Sequence, residues 1–320
     1  MAAGTASAVL LQPRAFAAGD ADSYPDKVIK IVVPYPPGGF NDTLARIASM
    51  HLQRTLKQSV VVENRAGGGT IIGTQAVATA PADGYTLLIA AFPFATNPLV
   101  YPTLPYDTRK AFAPVLLAGR SPLVLVVPAS SPFMSVADAV KAAKQRPGML
   151  NYGTAGVASS NHLTMELFCE VAGVRMNHVP YRGGSPAMAD LAGGQLDLSF
   201  DLLPNALPLI QSGKLRALGV SDVNRAPALP DVPTIAQALG VPFDVVTWHG
   251  IVVHQGTSPK IVARLNEELN AMLRLAEVKS AFERQGVMPA GGSPAEFGEF
   301  IDRQTMLYKR IVQKNNIRAE

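Results

Sequence analysis

One cysteine, Cys169, is all the chain holds, so no intrachain disulfide and no cysteine-built metal site can form within it. Cys169 reads instead as a small core residue on a helix. With no cysteine near the start, a lipid anchor of the lipoprotein kind is excluded as well. Charge is sparse too. Only 16% of the residues are Asp, Glu, Lys or Arg, against 48% hydrophobic ones, which excludes long disordered tails and leaves clefts rather than floppy arms as binding surfaces. The 28 basic and 24 acidic residues are scattered, with no basic run and no interleaved aromatics, so a nucleic-acid groove is excluded. The net charge of +4 suits ordinary solubility and also a long-range attraction for anions.

Long apolar runs are missing as well. The best candidate for a membrane span, residues 111–130, is interrupted by Pro114, Pro122 and Pro128 and carries Arg120, while residues 123–127 (LVLVV) read as a buried strand. The signatures of common catalysts are absent: there is no HExxH and no GxSxG. Residues 183–187 (GGSPA) come nearest to a nucleophile elbow, but they end on alanine, and Pro186 suits a helix start. Ser160 and His162 stand two residues apart at a helix start and therefore point to different faces. The five histidines (51, 162, 178, 249 and 254) show no zinc spacing. Gly67 and Gly69 would need a third glycine at Ile72 to complete a dinucleotide fingerprint. No catalytic residue, no metal and no cofactor is expected.

What is present points to two α/β domains. A length of 320 residues favours two cores over one. Residues 3–11 are small and apolar, and Ala15, Phe16 and Ala17 fit a small-x-small cleavage site, so residues 1–18 read as an export leader cut after Ala17, although no Lys or Arg precedes Arg14. The β-branched run at 28–33 reads as a buried strand, residues 34–39 as a loop, and Leu44, Ile47, Ala48 and Leu52 as one face of a helix. Strands at 60–62 and 85–90 alternate with helices, which implies a parallel sheet covered by helices on its faces. A second unit of the same kind begins near Pro122, with strands at 123–127, 150–154, 176–179, 196–200 and 215–220. A further strand at 244–254 leads into helices that run almost to the end. The chain would then cross between domains twice, near 119–122 and near 246–250, as a two-strand hinge. Lobe 1 is expected to hold residues 22–120 and 247–320, and lobe 2 residues 121–246.

Two glycine-containing loops carry the chemistry. Pro37, Gly38 and Gly39 open the Leu44 helix, and residues 155–160 open the Leu163 helix, one in each domain. Both fall at the carboxyl ends of strands, where α/β sheets bind ligands and where free helix N–H groups favour an anion. Ser159, Ser160 and Thr43 could donate hydroxyl hydrogen bonds and Asn161 an amide, with His162 in support beside the anion. Asp42 is expected to cap or orient its loop, since its charge would repel an anionic ligand.

These residues resemble a known family. IVVP at 31–34 with Gly38, Gly39 and Asp42, VVVEN at 60–64, DGYTL at 83–87 and LPYD at 104–107 are matched by HVPY at 178–181, GKLRAL at 213–218, LPDVPT at 229–234 and Trp248. Together they resemble the Bug family, the substrate-binding proteins of tripartite tricarboxylate transporters, from Tyr24 to about Ile311. The resemblance implies a two-lobed type II periplasmic-binding-protein fold, a Venus flytrap with two crossover strands, that clamps a small carboxylate and hands it to membrane permease subunits in the periplasm. It implies contact through residues 37–43 (Pro37, Gly38, Gly39, Phe40, Asn41 and Thr43) and 154–162 (Thr154, Ala158, Ser159, Ser160, Asn161 and His162), with Asp201 orienting the cleft or meeting a ligand donor. The chain departs from the family at Val157, Ala158, Ser159 and Ser160, which shift hydroxyl placement. It departs again at Phe92 and Phe94, where an apolar wall would suit an aromatic or longer aliphatic acid. A hydrolase on a similar scaffold and a sensor for a signalling partner are the alternatives.

Overall fold

The computed structural model describes residues 23–319. The leader expected over residues 1–18 lies outside them. β1 (Ile29–Val33) buries Ile29, Ile31, Val32 and Val33 because it is a central strand covered on both faces. α1 (Phe40–Leu56) follows, then β2 (Val60–Asn64), a short 3-10 turn (Gly68–Thr70), α2 (Ile71–Ala78), β3 (Thr86–Ala91), α3 (Phe92–Val100) and the single turn α4 (Thr108–Ala111). β1 lies parallel to both β2 and β3.

The next strand, β4 (Phe112–Pro128), is 17 residues long and serves two sheets. It continues through α5 (Val136–Gln145), β5 (Asn151–Thr154), α6 (Ser160–Ala172), β6 (Asn177–Pro180), α7 (Gly184–Ala192), β7 (Ser199–Leu202), α8 (Leu203–Gln211), β8 (Leu215–Val220) and α9 (Ile235–Leu239). β9 (Val246–His254), α10 (Pro259–Arg274), α11 (Ala276–Glu283), β10 (Met288–Pro289) and α12 (Pro294–Lys314) complete the chain. Residues 112–122 of β4 pair antiparallel with β9, which in turn pairs antiparallel with β3. From Leu123 onward β4 pairs with β7 and β8 instead. Pro122, which has no N–H to give a ladder, stands at the change of partners.

The fold is therefore a two-lobed α/β periplasmic-binding-protein architecture. Its first sheet is mixed, not parallel as the alternation of elements implies: the order β10, β4, β9, β3, β1, β2 inserts two antiparallel strands that arrive from the far end of the chain. Lobe-forming contacts are long range. Ile29, Ile31, Leu87, Ile89, Ile251 and Leu265 share one core, while Leu125, Val127, Phe168, Phe200 and Val245 share another. α12 reaches both. Phe297 and Phe300 edge onto the fully buried Trp248 ring at 5.7 and 5.9 Å, whereas Tyr308 and Ile311 pack with the second core and Arg310 pairs with Glu170 of α6 at 3.0 Å.

Gly250 is the position where this packing tolerates least. A Cβ there would stand 2.2 Å from Phe297 Cζ and 2.8 Å from Leu116 O, a backbone atom that cannot step aside. Gly250→Ala is expected to lower the unfolding free energy by about 2 kcal/mol, the scale of an overpacked core. Urea denaturation checks it, and an unchanged midpoint would contradict the packing described.

Candidate functional site

Three strand-to-helix junctions of the first lobe and one of the second open onto a cleft of about 530 Å³. From the first lobe come Pro34, Tyr35, Pro36 and Asn41 between β1 and α1, then Ala66, Gly67, Gly69 and Thr70 between β2 and α2. Phe92, Thr96, Asn97 and Tyr101 follow from α3, with Thr247, Trp248 and His249 of β9 along the back. The second lobe contributes Val157, Ala158, Ser159 and Ser160 together with Leu202. Ala319 completes the lining.

The helices at these junctions share an electrostatic feature. None of α1, α2, α3 and α6 has a side chain capping its N-terminal N–H groups. Of the remaining helices, α4, α5, α9 and α12 are capped by Asp107, Ser135, Thr234 and Ser293, and α7, α8, α10 and α11 have no side-chain cap either. The starts of α1, α3 and α6 thus bring N–H groups without side-chain caps to one cleft, each at the positive end of a helix dipole, while the first N–H of α2 is taken by Gly68 O of the preceding 3-10 turn.

In the first junction, Asp42 does the shaping. Its carboxylate takes the Gly38 N–H at 3.1 Å, Arg46 at 2.9 and 3.1 Å, and the Asn64 amide at 3.0 Å. The Arg46 guanidinium, with those other donors, holds its carboxyl below the usual range. Gly38, at φ +97°, is thereby committed to Asp42, and the open donors of this junction are the N–H groups of Gly39, Phe40 and Asn41. The Asn41 amide oxygen meets His249 Nδ1 at 2.8 Å. Phe40 turns inward onto His249 and Phe282, and Thr43 Oγ1 accepts from Gln285 at 3.2 Å, so neither side chain lines the cleft. Pro37, Gly38 and Gly39 form an exposed lip.

In the second lobe the loop is tied internally. Ala158, a non-glycine residue at φ +62°, donates its N–H to His162 Nδ1 at 3.0 Å. The Ser159 hydroxyl faces Gly156 O and Asn161 Oδ1, and Asn161 Oδ1 also accepts from Ala155 N. Thr154, fully buried, bonds His178 Nε2 at 2.6 Å. Ser160 differs: its hydroxyl makes no hydrogen bond within the described residues, and it lines the cleft. Behind the loop the His162 and His178 rings stack at 3.9 Å, and burial pushes them down to about 3 and about 4. Both are neutral at pH 7.

Of the residues singled out from the sequence, Asn41, Phe92, Ala158, Ser159 and Ser160 line the cleft. Thr154, Asn161 and His162 brace its second-lobe loop from behind. Asp201 lies just behind Leu202, its Oδ1 accepting from Leu202 N at 2.7 Å while Oδ2 has no partner, and burial pushes its carboxyl up to about 6. Phe92 is nearly buried and meets Tyr308 edge-on at 5.0 Å. Sequence reading missed Gly67, Gly69, Thr70, Asn97 and Tyr101. The glycine run at 67–69 was the available signal, with Asn97 donating to Gly69 O at 2.8 Å to fix it. Ser160 and His162 form no nucleophile and base pair: His162 uses Nδ1 for Ala158 and turns Nε2 toward Glu166 at 3.8 Å. Among the described residues no cluster of three or more His, Cys, Asp or Glu could hold a metal ion, and no helix is long and apolar enough to cross a membrane.

Comparison with known proteins gives concordant results. Residues 44–317 match the profile of the tripartite tricarboxylate transporter family receptor. A Pseudomonas sp. protein encoded in the tcbD-tcbE intergenic region is 41% identical, covering 93% of this chain and 89% of its own length. BugT of Bordetella pertussis is 37% identical, covering 94% of this chain and 93% of its own. A protein of R. palustris solved with adipate is 36% identical and superimposes with a TM-score of 0.78 over 92% of this chain and 99% of its own.

Proposed function

Since the chain belongs to the family of tripartite tricarboxylate transporter receptors, we propose that it captures a small carboxylate in the cleft described above and delivers it to the membrane permease subunits of such a transporter, in the periplasm. The convergence of the uncapped starts of α1, α3 and α6 on one cleft carries the reading, because open N–H groups at positive dipole ends favour an anion. The N–H groups of Gly39, Phe40 and Asn41 and those of the Ser160 turn are the donors such an anion would meet, and the Ser160 hydroxyl adds a donor with no competing protein partner. Asp201 does not line the cleft: its buried, unpartnered Oδ2 lies behind Leu202, so its part is to brace that wall.

Phe92, Val100 and Leu202 make part of the wall apolar. A longer aliphatic or an aromatic acid fits this wall better than a short, heavily hydroxylated one. Adipate, the six-carbon diacid in the R. palustris relative, is a natural first probe.

A thermal-shift screen over mono- and dicarboxylates tests the reading. A solute at about 100 times its dissociation constant adds roughly 2.7 kcal/mol to stability. A panel in which neutral sugars and amines shift the transition while no carboxylate does would overturn it. Ser160→Ala is expected to weaken binding of the best acid by about 1 kcal/mol, one net hydrogen bond. Ser135→Ala, which removes the α5 cap, should lower stability by about 1 kcal/mol and leave affinity unchanged. Calorimetry beside denaturation separates the two effects; equal affinities for Ser160→Ala and wild type would remove Ser160 from the site.

A further inference from the structure

His249 lies on β9, opposite Ala91 of β3 and Gly119 of β4, and lines the cleft beside Asn41. Its Nδ1 is 2.8 Å from Asn41 Oδ1, a contact that joins residues 208 positions apart. Phe40 packs on the imidazole at 4.5 Å between ring centres and holds it from one side. The other polar ends of the pair are open. Asn41 Nδ2 and His249 Nε2 make no hydrogen bond within the described residues, and neither is sealed from solvent. Both residues line the cleft, so that is the space onto which these ends open.

The chemistry of the contact decides what each open end is. An amide oxygen only accepts, so Nδ1 carries a ring proton. Burial pushes the ring down to about 3, so at pH 7 it is neutral and holds that one proton alone. Nε2 is then a bare acceptor. The Asn41 amide, with its oxygen turned to His249, has its NH₂ left for the cleft, on the first turn of α1 where the open N–H groups of Gly39, Phe40 and Asn41 already favour an anion. The opposite amide orientation would set a carbonyl oxygen against that anion. No carboxylate lines the cleft, so a donor on the solute has no charged acceptor to prefer over Nε2.

We infer that His249 is a specificity-determining residue: it turns the Asn41 amide so that the NH₂ meets the carboxylate, and its own Nε2 accepts from a hydroxyl that the solute carries close to that carboxylate. The inference rests on the receptor reading above and narrows it, from acids with an apolar remainder to those that also bear a hydroxyl beside the carboxyl group. One net hydrogen bond at Nε2 is about a fivefold gain in affinity.

Calorimetry at pH 7 with two matched pairs, mandelate against phenylacetate and 2-hydroxyhexanoate against hexanoate, is expected to show the hydroxy acid bound about fivefold more tightly in each pair. His249→Phe, which keeps a ring against Phe40 without either nitrogen, is expected to bring the two members of each pair to equal affinity. His249→Asn keeps a donor for Asn41 Oδ1 but lacks the second nitrogen, so it loses the same preference and serves should the first variant fail to fold. Heteronuclear NMR of the imidazole nitrogens in solute-free wild type is expected to find the proton on Nδ1. A proton on Nε2 overturns the inference, as do equal affinities within the wild-type pairs, a preference that survives in either variant, or no binding of any of the four acids. The receptor reading is judged separately by the thermal-shift panel, where carboxylates that raise the transition uphold it even if the hydroxyl preference is absent.

Discussion

Converting one carboxylate of the best-binding acid of the thermal-shift panel to the neutral amide is expected to lower its affinity for this chain by about two orders of magnitude. The amide keeps the length and shape of the acid and one of its two acceptor oxygens, so apolar contact with Phe92 and Leu202 is untouched. What it loses is charge, and it gains an NH₂ donor that faces donors. Hydrogen bonds to a charged partner contribute about 1.5–3 kcal/mol, against about 0.5–1.5 for neutral pairs. Two such bonds, one from each lobe, then differ by about 3 kcal/mol between acid and amide, which is about a hundredfold in affinity. The uncapped starts of α1 and α6 are the source of the difference. Calorimetry on the matched pair at one ionic strength reads it directly. An amide that binds as tightly as the acid leaves the anion clamp without support.

Much of this site is legible in sequence because local chemistry writes it there. A β-branched run followed by Pro37, Gly38 and Gly39 and then by helical spacing announces a strand, a close-approach loop and an open helix start. The same logic finds residues 155–160. It fails at Gly67, Gly68 and Gly69, since a glycine run after a strand reads alike whether it is a spacer or a wall of the cleft. Only the fold, through Asn97 reaching back 28 positions to Gly69 O, shows that it is the wall. α3 is hidden for a related reason: Pro93 and Pro98 argue against a helix, yet Pro93 falls in its first turn, where no N–H is needed. β4 is longer than its sequence suggests because Pro114 and Pro122 interrupt the apolar pattern without ending the strand. Register shifts between Pro114 and Leu116 and between Leu117 and Gly119 absorb the misfit. The antiparallel placement of β9 depends on contacts more than a hundred residues apart, which no local window contains.

The stacked histidines set the response to acid. His162, His178 and His249 are pushed down by burial to about 3, about 4 and about 3, well below the ordinary histidine value. A group whose folded value is depressed takes up protons more readily in the unfolded chain, so stability is present above about pH 6.5 and is lost as the pH falls toward the folded values. At pH 4.5 the nearly buried His162 accounts for roughly 2 kcal/mol of loss, and the partly exposed His178 and His249 for about 1 kcal/mol each. Asp201 opposes them. Its carboxyl, raised to about 6, binds a proton in the folded state first, so its contribution is fully present in acid and is lost as the pH rises through 6. That returns at most about 2 kcal/mol on acidification, so the histidines win by about 2 kcal/mol. In the folded chain His162 stays neutral across this range and keeps the Ala158 N–H; only near pH 3 does a proton on its Nδ1 displace that N–H and with it the turn that presents Ser160. Urea denaturation between pH 7 and pH 4.5 is therefore expected to show falling stability, with a shallower decline in His178→Gln, which keeps a partner for Thr154 but cannot take up the proton. A stability that holds or rises across this range would mean that the stacked rings are not held neutral by burial.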